Sequence, residues 1–214
     1  MTKFILLFLG AVAANAQILS LGAKVGSPIN DPSVYRNSPF TTFSQGRWTG
    51  GPTVELHLPA NFSIEFDALY RGNHWTTHSI LNFGATNPLQ TDVSTNTKAA
   101  DLPLLLKYRF RIGAIHPFVS AGYQWSYEHR GSQFLSSCLG PAGSCTPTGA
   151  SFSPGYGSGE SSLWRNGPAA GAGVEFKVKA LEISPEVRYS HLIKPNTNQV
   201  TALVGFSFGV GHKH

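Results

Sequence analysis

A chain of 214 residues that is 13% charged and 12% aromatic, with 23 glycines and 14 prolines, is too apolar for a disordered polymer and too rich in helix breakers for a coiled coil. Its 16 Lys and Arg against 11 Asp and Glu give a net charge of +5, but the cations form no run or stripe, so the composition gives no case for nucleic acid. Past the N-terminus no stretch approaches the ~20 apolar residues of a membrane-spanning helix, which excludes a helical membrane protein.

The chain opens with Met1-Thr2-Lys3, an apolar stretch from Phe4 to Val12, and the small residues Ala14 and Ala16. A basic start, a short apolar core and a small-x-small end make an export signal, expected to be cleaved between Ala16 and Gln17. The expected organisation is therefore a signal over 1–16, one domain over 17–209 and a short tail over 210–214.

From Gln17 onward apolar and polar residues alternate in repeated runs, which is the period of strands. A first strand is expected over 18–26. Val54, Leu56 and Leu58 then alternate with Glu55 and His57. After Pro59-Ala60-Asn61, Phe62, Ile64, Phe66, Ala68 and Tyr70 alternate with Ser63, Glu65 and Asp67, completing a tight hairpin. A second hairpin sets Leu104, Leu106, Tyr108 and Phe110 against Lys107 and Arg109, then Val119, Ala121, Tyr123, Trp125 and Tyr127 against Ser120, Gln124 and Glu128. A third places Ala170, Ala172, Val174, Phe176 and Val178 against Glu175 and Lys177, turns at Lys179-Ala180, and runs Leu181, Ile183, Val187 and Tyr189 against Glu182, Glu186 and Arg188. A last strand over 199–209 brings the expected count to eight.

The connections alternate in length. Long ones are expected over 27–51, 72–99 and 129–167, and short ones over 59–61, 113–117 and 179–180, the uneven rims of an outer-membrane barrel. Within the third long connection, Cys138-Leu-Gly-Pro-Ala-Gly-Ser-Cys145 is short and flexible enough to close one local disulfide in an oxidising compartment. Such a ring contributes about 2–3 kcal/mol, enough to order a loop but not to hold a fold.

The charges decide which face is inside. Glu55, His57, Glu65, Asp67, Lys107, Arg109, Glu128, Glu175, Lys177, Glu182, Glu186 and Arg188 all fall on the polar strand faces, so both signs converge on one surface. The opposite faces carry more aromatic rings than an eight-stranded interior can hold. Turned outward, Phe62, Phe110, Phe176 and Phe208 lie by the short turns and Tyr70, Tyr127 and Tyr189 by the long loops, as two aromatic girdles. Inside, acids and bases are expected to neutralise one another and plug the lumen. Closure in lipid requires the first strand to pair with the last.

With these features the chain resembles the small eight-stranded outer-membrane barrels, similar to the OmpA transmembrane domain, OmpX and porin-family outer membrane β-barrel proteins. The final strand, Val200-Thr-Ala-Leu-Val-Gly-Phe-Ser-Phe208, resembles the aromatic-ending signal read by the barrel-assembly machinery, although Gly209 to His214 extend beyond it. The resemblance implies an all-β, antiparallel up-and-down transmembrane barrel with periplasmic turns and extracellular loops. It also implies an outer-membrane location, monomeric and surrounded by outer-membrane lipid and lipopolysaccharide, with no cofactor.

Candidate chemistry is sparse. Glu186 to Asn196 resembles the catalytic strand of lipid A 3-O-deacylases, which are also eight-stranded barrels. In that family the nucleophilic Ser follows His by two residues, but Ile193 stands there after His191 and Lys194 stands where Asn is usual. Ser190 is adjacent to His191 and on a strand points to the opposite face. His74 and His78 have the spacing of a zinc helix but lack its Glu and are expected in a loop, and His212 and His214 sit in the tail, so no metal site is expected. Trp48, Trp75 and Trp164 are expected to anchor at headgroup level. The expected function is a non-enzymatic envelope or surface-interaction protein. The alternatives are a deacylase-like hydrolase and a narrow pore or small-ligand transport barrel of the OmpW kind.

Overall fold

The computed structural model describes residues 19–30, 41–81, 89–113, 115–139, 159–193 and 196–210. The expected signal and its cleavage site, Cys145, and the tail histidines His212 and His214 lie outside the described residues. The elements are β1 (Leu19–Asn30), β2 (Thr41–His57), β3 (Phe62–Asp67), β4 (Leu69–Leu81), β5 (Leu89–Arg109), β6 (Ile115–Leu139), β7 (Gly159–Val178), β8 (Leu181–Leu192) and β9 (Thr197–Val210). All pair antiparallel with their neighbours, and β1 pairs with both β2 and β9, so the sheet closes as a ring of 8 strands.

β3 and β4 are one strand in all but a single hydrogen bond. Thr53↔Asp67 and Gly50↔Tyr70 keep the same register against β2, which places Ala68 opposite Pro52. The Ala68 amide donates to the Pro52 carbonyl at 3.0 Å, but proline has no N–H to return the bond to Ala68.

Pairing is staggered all the way round. Stepping across directly opposed residues from Leu19 leads through Leu56, Ile64, Leu106, Ala121, Ala170, Tyr189 and Val200, and re-enters β1 at Asn30, one bulge included. That offset tilts the strands against the barrel axis and lets eight of them enclose side chains rather than an empty tube.

The short connections are tight. Ala60 and Asn61 bridge β2 and β3 with φ of 59° and 65°, and Lys179 turns β7 into β8 with φ of 59°. At the other end the strands run well into the stretches expected as long loops. β4 continues to Leu81, β5 begins at Leu89, and β6 continues to Leu139. Out there both strand faces carry Ser, Thr, Asn and Gly, so the apolar contrast that marks a strand is lost while the backbone ladder continues.

Alternation holds in the spanning part. Thr53, Glu55, Ser63, Glu65 and Asp67 are buried, whereas Val54, Leu56, Phe62, Ile64 and Phe66 are exposed. An exposed apolar belt around a polar interior is the reverse of a water-soluble barrel.

Candidate functional site

Polar residues fill the lumen because each inward position of a tilted strand faces several other strands. Near the short turns, Lys107 of β5 faces three carboxylates, Glu55 at 3.4 Å, Glu65 at 3.5 Å and Glu175 in direct contact. Its ammonium also lies 4.0 Å from the centroid of the Phe118 ring, a buried aromatic seated against Gly173. A Cβ at position 173 would come within 2.6 Å of that ring, so glycine is needed there. Arg109 bridges Glu55 and Glu175, donating to the latter at 2.5 Å, and its Nη1 donates to Ser63 at 2.9 Å.

His57 closes this end. Arg109 Nη1 lies 3.3 Å from His57 Nδ1, and Ser20 Oγ lies 2.7 Å from Nε2. A guanidinium can only donate, so Nδ1 accepts and Nε2–H donates to the serine.

Further in, Lys24 of β1 contacts Glu65 directly and Glu186 at 2.9 Å. Arg188 of β8 donates to Asp67 at 2.7 Å, to Glu65 at 3.0 Å and to Glu186 at 2.9 Å. Thr53 donates to Asp67 at 2.5 Å. The carboxylate lone pairs are thus met by both cations and hydroxyls, the condition under which buried charge is tolerated.

Toward the loops, Arg71 of β4 donates to Asp101 at 2.9 Å, and Arg165 and Arg130 meet Glu128 at 3.0 and 3.2 Å. Arg130 lies 5.5 Å from the centroid of Trp75, which is 7% exposed and faces inward. Trp75 therefore does not anchor at the headgroups, because its position on β4 shares the phase of Arg71 and Asn73. Trp48 and Trp164, 55% and 64% exposed, do face outward.

Of the twelve expected lumen residues, Glu55, Glu65, Asp67, Lys107, Glu128, Glu175, Glu186 and Arg188 are buried, and His57, Arg109 and Glu182 are partly so. Lys177 is exposed, since its strand is already leaving the barrel at the turn. The structure adds Lys24, Arg71, Asp101 and Arg165 to the network. Lys24 is flanked by alanine and valine on a short strand, and the other three fall in or beside stretches whose composition reads as loop. Phe62, Tyr70, Phe110, Tyr127, Phe176, Tyr189 and Phe208 are exposed on the outer surface.

The remaining motifs separate. Ser190 is buried and donates to Gln124 at 2.6 Å, whereas His191 is partly exposed with Nδ1 2.8 Å from Asn198 Oδ1. They occupy opposite sides of the wall. His74 and His78 lie on strand β4 rather than in a loop. Four residues of extended chain span roughly 13 Å, too far for two ligands of one ion. Cys138 lies on β6, again strand where a loop was expected.

A family model described as outer membrane protein beta-barrel domain matches residues 4–212. Among solved structures the chain is similar to Neisserial surface protein A, at 11% identity over 90% of this chain and 97% of that one, TM-score 0.43. It is also similar to Ail, the attachment invasion locus protein of Yersinia pestis, at 10% identity over 88% and 97%, TM-score 0.42. A third is the outer membrane protein OprG from Pseudomonas aeruginosa, at 13% identity over 90% and 95%, TM-score 0.44. No curated protein matches the sequence.

Proposed function

The chain belongs to the outer membrane protein β-barrel domain family and resides in the cell outer membrane, and from that premise we propose that it is a plugged, non-enzymatic barrel serving envelope structure or surface interaction through its loops. The observation that carries this reading is the ion-pair network that crosses the lumen, with Lys24, Lys107 and Arg188 all converging on Glu65. Opening a path for ions would strand several of these groups in a narrow, poorly solvated space, at several kcal/mol each. The separation of Ser190 from His191 supports the non-enzymatic part.

On this reading residues 1–16 form the export signal, the domain spans 17–209, and Cys138 and Cys145 close a disulfide in the oxidising compartment outside the cytoplasm. The seven exposed aromatics form the interfacial girdles. The barrel-assembly machinery inserts the chain, which functions as a monomer among outer-membrane lipid and lipopolysaccharide.

The test is conductance of the refolded chain in a planar lipid bilayer. A silent barrel whose gel mobility still shifts on boiling is the expected result. Steady ohmic conductance would overturn the plug in favour of a pore, and release of acyl chains from lipid A would overturn the non-enzymatic reading.

A further inference from the structure

At the loop-side end of the lumen, above the ion-pair network that fills its middle, the ends of β1, β8 and β9 come level with Arg71 on β4 and Arg165 on β7. Leu192 pairs with Thr197 where β8 turns into β9, and Pro28 of β1 lies opposite Thr201 of β9. Pro28, Leu192 and Thr197, with Asn30, Arg71, Arg165 and Gln199, line a small recess there. It has room for about one occupant of the size of a water molecule.

The polar lining is rich in donors. Arg71 and Arg165, 4% and 9% exposed, both bring a guanidinium to the recess. Thr197 Oγ1 is buried there without a hydrogen-bond partner. Asn30 Oδ1 is occupied by the Val200 amide, so Asn30 has N–H left to offer. Gln199 Nε2 donates one hydrogen to Thr201 Oγ1 at 3.2 Å and keeps a second. Among the described residues no carboxylate lines the recess. The acids stand behind the arginines and fix them, Asp101 accepting from Arg71 Nε at 2.9 Å and Glu128 from Arg165 Nη2 at 3.0 Å. Glu128 also meets Arg130 at 3.2 Å and lies 3.7 Å from Arg71 Nη2. Among the described residues, then, three arginines are joined in this cluster to two carboxylates, which leaves a positive charge in excess.

We propose that this recess is a binding site for a chloride ion, held by the Arg71 and Arg165 guanidiniums, the Thr197 hydroxyl and the Gln199 amide. Size selects a monatomic halide, because phosphate, sulfate or a carboxylate surrounds its central atom with oxygens and does not fit a space made for one water. Charge separates chloride from water. A water molecule would satisfy Thr197 but leave the excess positive charge of the cluster uncompensated in a poorly solvated place, whereas chloride neutralises it. Leu192, 1% exposed, and the buried Pro28 form the apolar part of the wall, which lowers the local dielectric and strengthens every donor contact to an anion. The site depends on the closed barrel and is independent of whether the lumen conducts.

The experiment refolds the full chain into phosphatidylcholine vesicles and follows the urea unfolding midpoint in sodium chloride, bromide, sulfate and gluconate at matched ionic strength. An ion that binds only the folded state stabilises it by mass action, so the midpoint is expected to climb with chloride and bromide and to stay level in sulfate and gluconate. Thr197→Val removes the hydroxyl and keeps the shape, and should raise the chloride concentration for half the effect roughly tenfold, the factor expected of one hydrogen bond to an ion. Arg165→Gln should abolish the chloride dependence, and Lys179→Gly at the opposite rim should leave it unchanged. Equal effects of all four salts, no dependence on chloride, or an undiminished dependence in Thr197→Val and Arg165→Gln would overturn the site. Crystals of the wild type grown in sodium bromide provide a test that needs no variant to fold. An anomalous peak between Arg71 and Arg165 is expected, and a recess without one would overturn the proposal. A heat-modifiable band from every sample shows that the barrel has formed, which separates loss of the site from loss of the fold.

Discussion

Arg188 on β8 reaches Asp67 on β3 with Nη1 2.7 Å from Oδ2, and these two strands stand opposite each other across the ring. The same guanidinium holds Glu65 and Glu186, so one side chain ties both walls of the barrel together. A single such cross-brace shows why the lumen behaves as a core although most of the side chains buried in it are polar or charged.

Arg188→Ala leaves Asp67 and Glu65 short of a partner in a site where neither reaches water. A loss of about 3–5 kcal/mol is expected, the usual cost of breaking a buried pair by removing one member. Arg188→Lys restores charge without the fork and should fall between. Urea unfolding in lipid vesicles reads both, and an unchanged midpoint for the alanine variant would remove Arg188 from any bracing role.

The tryptophans report which face is outward. In variants retaining one tryptophan each, Trp48 and Trp164 should be quenched by brominated phospholipid, whereas Trp75, buried beneath Arg130, should be insensitive. Strong quenching of Trp75 would mean that β4 carries the opposite phase.

Ser190 and His191 differ in what they support. Ser190→Ala strips the donor from buried Gln124 Oε1 and should cost about 1–3 kcal/mol. His191→Ala, on the outer surface, should stay within about 0.5 kcal/mol of the parent. The same vesicle titration separates them, and the reverse order would refute the placement.

Lys179 sits at φ of 59°, the left-handed region where a Cβ crowds the next carbonyl. Lys179→Gly relieves a contact worth roughly 1–2 kcal/mol against a chain-entropy cost of roughly 0.5–1 kcal/mol, so a net gain of about 1 kcal/mol or less is expected. A lower unfolding midpoint would show that the lysine side chain makes a compensating contact at the turn.

Much of this was legible in the residues. Val54 to Tyr70 shows the two-residue period on both sides of a three-residue turn, and the acidic and basic residues on one phase of it mark the lumen directly. Where the period has no contrast, reading fails. Ser94 to Lys98 and Thr76 to Ser79 are polar on every position, so the strands that continue through them resemble loops. Trp75 was lost with them, because a tryptophan's side of the wall is knowable only once its strand is recognised.

Sequence alone determined that this chain is a closed antiparallel barrel with an apolar outside, since alternation and charge phase are local properties written along each strand. It also determined that Ser190 and His191 oppose each other, for the same reason. Only the tertiary structure decided which charges meet. Arg188 and Asp67 are far apart in the chain and belong to no common hairpin, and their contact follows from the stagger accumulated around the ring. Lys24 joins Glu65 and Glu186 by the same stagger, which is a global quantity that no single strand carries.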